Sequence, residues 1–227
     1  MDNGKLLELA FETTALLNTK KEELRQCKWT DSESNTDTDF STLACQCAEE
    51  AWKQMQQRYN IQIRLTTMIP DINCIFEDKD IQVTRKIELK SSKTNVMPGS
   101  TIGKLDINQP LIFCNRKTYE VRCGQYHTAM GNSDIDLFQD RTPRPSLNFT
   151  KLSTQPLEYT VKTKDAWISH YGKCAVNRLN CSVTPSWQDT LTKSILYEAL
   201  QHIETLEELH RLRELVHLPV QHFMIGK

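Results

Sequence analysis

The feature that most constrains this 227-residue chain is a change of hydrophobic period at Ile61. Before it, Ala44, Cys47, Ala48, Ala51, Trp52, Met55 and Tyr59 form one apolar stripe at helical spacing. After it, Ile61, Ile63 and Leu65 alternate with Gln62, Arg64 and Thr66, the two-residue period of a half-buried strand. Two more alternations follow. Ile72, Cys74 and Phe76 oppose Asp71 and Asn73; then Val83, Arg85, Ile87 and Leu89 oppose Thr84, Lys86, Glu88 and Lys90 in a strand from Ile81 to Lys90. Glu77-Asp78-Lys79-Asp80 supplies the turn between them, so the pair reads as a hairpin. A helix followed by such strands predicts an α/β (α+β) chain.

The flanking segments extend this plan. Leu6, Leu9, Ala10, Leu16, Leu17 and Leu24 predict one amphipathic helix over Lys5 to Gln26. The acidic stretch Thr30 to Asp39 has no apolar member and reads as a loop, after which Phe40-Ser41 opens the second helix with Ser41 as N-cap. Ser91 to Asn108 holds two glycines and a proline and reads as a loop with at most one helical turn. Leu111 to Cys114 and Tyr119 to Cys123 read as strands, the first apolar enough to be buried on both faces. The pattern is lost from Gly124 to Pro156, where Arg141, Arg144 and Lys151 are available to a partner. Ser186 then caps a helical portion that Pro219 stops. The expected organisation is a single domain: an N-terminal helix over 1–30, a core over 40–125, an irregular segment over 126–185 and C-terminal helices over 186–227.

Composition narrows the partners. Lys plus Arg is 28 against 29 for Asp plus Glu, so a polyanion must be met by a local patch, and Arg85, Lys86, Lys90, Lys93 and Lys104 make one. Mean hydropathy is −0.54 and the only apolar run near the N-terminus, Leu6 to Leu17, is broken by Glu8 and Glu12. This predicts no membrane span and no secretory signal, hence an intracellular protein, cytoplasmic or, in a eukaryotic or viral setting, nuclear. The eight cysteines are then reduced thiols, and neither Cys45 with Cys47 nor Cys174 with Cys181 has zinc-pair spacing. His202, His210, His217 and His222 lack ligand spacing as well, and Asn132 to Asp136 lacks the glycine and distal glutamate of a calcium loop. With no Walker lysine loop and no GxGxxG, no nucleotide cofactor is expected.

The chemistry concentrates on Pro70-Asp71, sixteen residues, and then Glu88-Leu89-Lys90. The hairpin places Asp71 at the start of one strand beside Glu88 near the end of the next, on one side of the sheet. Two carboxylates that close repel unless a cation lies between them. Their oxygens, with the Leu89 carbonyl as third protein ligand, suit Mg2+, a hard ion that keeps several waters. Lys90 projects the same way, to act on an attacking water or on charge developing at a phosphate. The plainer account is an Asp that caps a turn and an ordinary surface pair of Glu88 and Lys90.

These residues resemble the PD-(D/E)XK nuclease superfamily, with Pro70-Asp71 and Glu88-Leu89-Lys90 as its motif in the family's order of helix, strand and hairpin. The resemblance covers the stretch from the second helix to the fifth strand. It implies a restriction-endonuclease-like core, a mixed sheet flanked by helices, with an acidic residue from the helix before the first strand. That residue is Glu49 or Glu50, and the helical wheel favours Glu49. Size and architecture look most like a type II restriction endonuclease, which implies double-stranded DNA as substrate and a homodimer for a palindromic site. The loop after Lys90 would bring Ser91, Ser92, Lys93, Ser100, Thr101 and Lys104 to DNA as phosphate contacts. A repair or recombination nuclease shares the same core, and an inactive DNA-binding relative is the reading from another class.

Overall fold

A computed structural model describes residues 2–29, 38–79, 81–100, 106–130 and 146–162. The chain divides into two compact units. The first comprises Met1–Met97, Asp106–Ala129 and Asn148–Thr160, and the second Pro98–Leu105, Met130–Leu147 and Val161–Lys227. Within the second, Met130 and Leu147 form an isolated antiparallel bridge. The expected C-terminal helices over 186–227 lie outside the described residues. Among the described residues no helix is long and apolar enough to cross a membrane.

The first unit is a mixed α and β structure. Helix α1 (Asn3–Thr19) is capped by Asp2, whose carboxylate accepts from the Lys5 backbone N–H at 2.8 Å. Its buried Thr13 and Thr14 satisfy their hydroxyls on the carbonyls one turn back, Leu9 and Ala10, and so cost the apolar interior little. The single N-terminal helix expected from the leucine spacing is in fact two. The backbone leaves helical geometry at Lys20 (φ −100°, ψ 42°), and α2 (Lys21–Gln26) restarts and buries Leu24. Helix α3 (Thr38–Tyr59) begins earlier than expected, so Ser41 is a buried residue of its first turns and not the N-cap. Its stripe from Phe40 to Met55 is buried, whereas Tyr59 is 44% exposed and donates to Glu8 at 2.6 Å.

Five strands form one sheet in the order β1-β2-β3-β5-β6. They are β1 (Arg64–Met68), β2 (Ile72–Asp78), β3 (Ile81–Ser92), β5 (Pro110–Asn115) and β6 (Glu120–Gln125), and β4 (Val96–Pro98) lies outside this sheet. The expected loop over 91–108 therefore starts later, since β3 runs through Ser92 and β4 follows. Ile61 and Ile63 precede β1 because the Ile63 carbonyl is occupied by the Trp52 indole N–H at 2.9 Å and the Gln56 amide at 2.8 Å. Strand β5 is buried at every position, as its apolar run required. The stretch from Gly124 also carries structure: α4 (Tyr126–Ala129), β7 (Ser146–Asn148) and a 3-10 turn over Phe149–Lys151.

Helices α1 and α3 pack on each other, α3 over β1 and β2, α1 over β3, β5 and β6. One continuous core results, in which Leu9, Leu17, Ala48 and Trp52 meet Ile72, Phe76, Ile87, Leu89, Ile112 and Val121. At the outer edge of β6, the Asn18 amide bonds to both the carbonyl and the N–H of Val121, at 2.8 and 2.9 Å. Ser153 exchanges both backbone bonds with Cys123, two residues on.

Candidate functional site

Strand β3 changes partner midway. As far as Ile87 it is antiparallel to β2, the last pair being Ile72 with Ile87; from Glu88 onward it is parallel to β5, beginning with Leu111. Beyond that point, among the described residues, the side of β3 that faced β2 has no strand beside it. Asp71 fills the gap: its Oδ1 accepts from the Leu89 backbone N–H at 2.9 Å. A side chain thus completes a ladder that the backbone abandons, and β2 begins only after Asp71, whose φ of 57° is left-handed. One register step beyond Ile72 with Ile87, Asp71 stands beside Glu88, as the hairpin reading required. In an extended strand the N–H and C=O of one residue point the same way, so the Leu89 carbonyl also leaves β3 on the Asp71 side.

Period two puts Lys86, Glu88 and Lys90 on one face, opposite Ile87 and Leu89. They form a continuous ionic chain. Asp71 Oδ2 lies 2.8 Å from Lys86 Nζ, which lies 2.7 Å from Glu88 Oε2; the other oxygen of Glu88 lies 2.6 Å from Lys90 Nζ. Gln109 adds an amide N–H to Glu88 Oε2 at 3.3 Å. Burial alone would raise the Glu88 pKa, but the Lys90 charge and hydrogen bonds from Lys86 and Lys90 outweigh it and hold the carboxyl down at about 2. Burial would lower that of Lys86; its bonds to Asp71 and Glu88 prevail and raise it. Glu88 and Lys90 are therefore buried and paired, which sets them apart from an ordinary surface pair.

The acidic helix residue is placed differently. Glu49 is half-buried and its Oε1 accepts from both the N–H and the hydroxyl of Thr67, at 3.2 and 2.8 Å. It ties α3 to the outer strand β1. Its link to Asp71 runs through Cys45, whose thiol donates weakly to the Asp71 carbonyl at 3.8 Å and is pushed up by burial, with the charges of Glu49 and Asp71 adding. Glu50 is exposed and pairs with Lys20 at 3.6 Å. Ser91 and Ser92 continue β3 past Lys90, and Lys93 follows at the surface. Ser100 belongs to the second unit, and Thr101 and Lys104 lie outside the described residues.

Sequence reasoning named the site's face but not Lys86, its central cation. The signal was present. Two neighbouring carboxylates demand a positive charge, and Lys86 is two residues from Glu88 on the face where it is needed.

Among the described residues no three His, Cys, Asp or Glu side chains converge as a metal cage. Mg2+ does not need one, because it binds through one or two carboxylates and retains water. Asp71 Oδ2 and Glu88 Oε2 converge on a single cationic point, and the Leu89 carbonyl emerges on the same side; these donors fit a hard divalent ion. The six described cysteines are free thiols, and none of them lies in the ionic chain. In comparisons with protein-family models, curated proteins and solved structures, the chain finds no match.

Proposed function

We propose that the chain is a Mg2+-dependent endonuclease of the PD-(D/E)XK type, which hydrolyses phosphodiester bonds of double-stranded DNA at specific sites. The observation that carries this reading is the convergence of Asp71 and Glu88 on one cation, with Lys90 held on the far oxygen of Glu88. The helix, three-strand meander and parallel fourth strand of the sheet are compatible with a restriction-endonuclease-like core.

In this reading Asp71, Glu88 and the Leu89 carbonyl hold the ion. When bound, Mg2+ acidifies a water and neutralises charge on a phosphoryl oxygen. Asp71 is fixed by the Leu89 N–H, so the carboxylate is aimed before any ion arrives. Lys90 is buried, and its contact with Glu88 keeps its ammonium beside the scissile phosphate, where it orients the attacking water and faces the developing charge. Glu49 steadies β1 and the Asp71 turn through Thr67 and Cys45. Ser91, Ser92 and Lys93 lead away from Lys90 and serve as phosphate contacts, and two copies of the chain act on a palindromic site.

The test is incubation of the purified chain with circular plasmid and Mg2+, beside an EDTA control and Asp71→Asn. Asn tolerates the left-handed φ of Asp71, so this variant keeps its fold while losing ligand charge. Discrete, EDTA-sensitive fragments from the wild type and none from the variant are expected. Activity only on ends or branched DNA would move the reading to a repair nuclease; DNA binding without cleavage would move it to an inactive DNA-binding protein.

A further inference from the structure

Asp71 Oδ2 and Glu88 Oε2, the oxygens assigned to the metal, already share a cation. Lys86 Nζ stands 2.8 Å from the first and 2.7 Å from the second. Mg2+ would bind these same oxygens at about 2.0–2.1 Å, so ammonium and metal compete for one location. The two lysines on Glu88 differ in their freedom to leave. The Lys90 side chain is 9% exposed and the Lys86 side chain is 42% exposed, so Lys86 is the one with room to swing out into solvent.

We propose that Lys86 is a built-in counter-ion that holds the two carboxylates together in the metal-free protein and is displaced when the metal enters. The identity of the metal rests on the nuclease reading; the displacement rests on the geometry. Without Lys86, two carboxylates at facing positions of the hairpin would repel and splay, and the site would have to be assembled at each binding event. With it, Asp71, Glu88, Lys86 and Lys90 are electrically balanced, and the donors stay positioned. The cost is competition, so metal binds more weakly than two fixed carboxylates would otherwise allow. Exchange of a monovalent for a divalent cation then turns a neutral cluster positive, which favours entry of a phosphate.

Mn2+ serves as the probe, titrated calorimetrically into EDTA-stripped wild type, Lys86→Met and Asp71→Asn without DNA. Lys86→Met should bind Mn2+ about tenfold more tightly than wild type, and Asp71→Asn should lose binding. A second measurement needs no mutation: pulse acetylation of the wild type, read by mass spectrometry. Mn2+ should raise modification of Lys86 at least about threefold, as the side chain is released to solvent, while Lys90 and the remote Lys21 stay unchanged. If Lys86→Met does not fold, the acetylation result decides alone. Wild-type binding that Asp71→Asn abolishes, with unaltered affinity in Lys86→Met and unaltered Lys86 acetylation, overturns displacement and leaves the metal site standing. Absence of Mn2+ binding in both wild type and Lys86→Met overturns the displacement and the metal reading together.

Discussion

Replacing Glu88 by Gln removes the charge that two lysines share, and its cost can be worked out by two independent routes. A carboxyl held at about 2 against an ordinary 4.5 corresponds to about 3 kcal/mol of stability, at 1.36 kcal/mol per pH unit. The same change leaves the Lys90 ammonium buried without its counter-charge, a loss on the order of 3–5 kcal/mol. The sign follows from the direction. Because the folded pKa lies below the unfolded one, Glu88 stabilises fully above about pH 4.5, and this contribution drains away as the pH falls towards about 2. Urea unfolding of metal-free protein, followed by tryptophan fluorescence from about pH 7 to about pH 2.5, measures it. Wild type should exceed Glu88→Gln by about 3 kcal/mol at neutral pH, and the two should converge in acid. Other carboxyls titrate in both proteins and cancel in the difference. A gap that stays constant from pH 4.5 downward would refute the paired, ionised Glu88 on which the site is built.

Three further outcomes are expected. Lys93→Ala should weaken binding to all DNA sequences alike and flatten the salt dependence by about one unit of slope; an altered cleavage sequence at unchanged slope would make this segment a base reader. Trp52→Phe should cost only about 1 kcal/mol in urea unfolding, since Gln56 still bonds the Ile63 carbonyl, whereas Trp52→Ala should cost about 3–5 kcal/mol. In a Cys174→Ser, Cys181→Ser background a thiol reagent at mildly alkaline pH should label half-exposed Cys27 quickly. Cys47, pushed up to about 11 chiefly by burial, and the other buried cysteines should react only on unfolding.

The alternating faces of the hairpin were legible because β2 buries one side only and β3 alternates apolar with charged residues as it enters the core, so period two alone places Asp71, Glu88 and Lys90 on one face. Breaks that preserve the apolar phase were not. Leu17 and Leu24 are seven residues apart, two helical turns, so the interruption at Lys20 leaves no trace in the pattern. Thr38 and Asp39 look like loop and make Ser41 look like a cap, yet polar residues suit a helix's first turn equally well. Three-residue strands such as β4 carry no period at all. Glu49 shows the limit at the site itself: a wheel gives its angle on α3, but that the carboxylate spends itself on Thr67 depends on where β1 passes. Lys86 differs again: the two carboxylates announce the need for a positive charge, but a dissolved ion meets it as well as a side chain, and the strand pattern does not choose between them.

The closure of β6 by Asn18 has a consequence for how the chain comes together. Two of the outward-facing residues of that strand, Val121 and Cys123, are taken by an amide from the first helix and by the backbone at Ser153. Asn18 and Val121 are 103 positions apart, so a segment made earlier finishes a strand made much later. Such distant pairings are slow to form. Until α1 docks, β6 presents the open N–H and C=O of Val121 beside an uncovered apolar face, the combination by which chains associate edge to edge. Helix α1 is therefore a latch as well as a cover, and a chain that lost it would be prone to polymerise through β6 before it could settle as a smaller monomer.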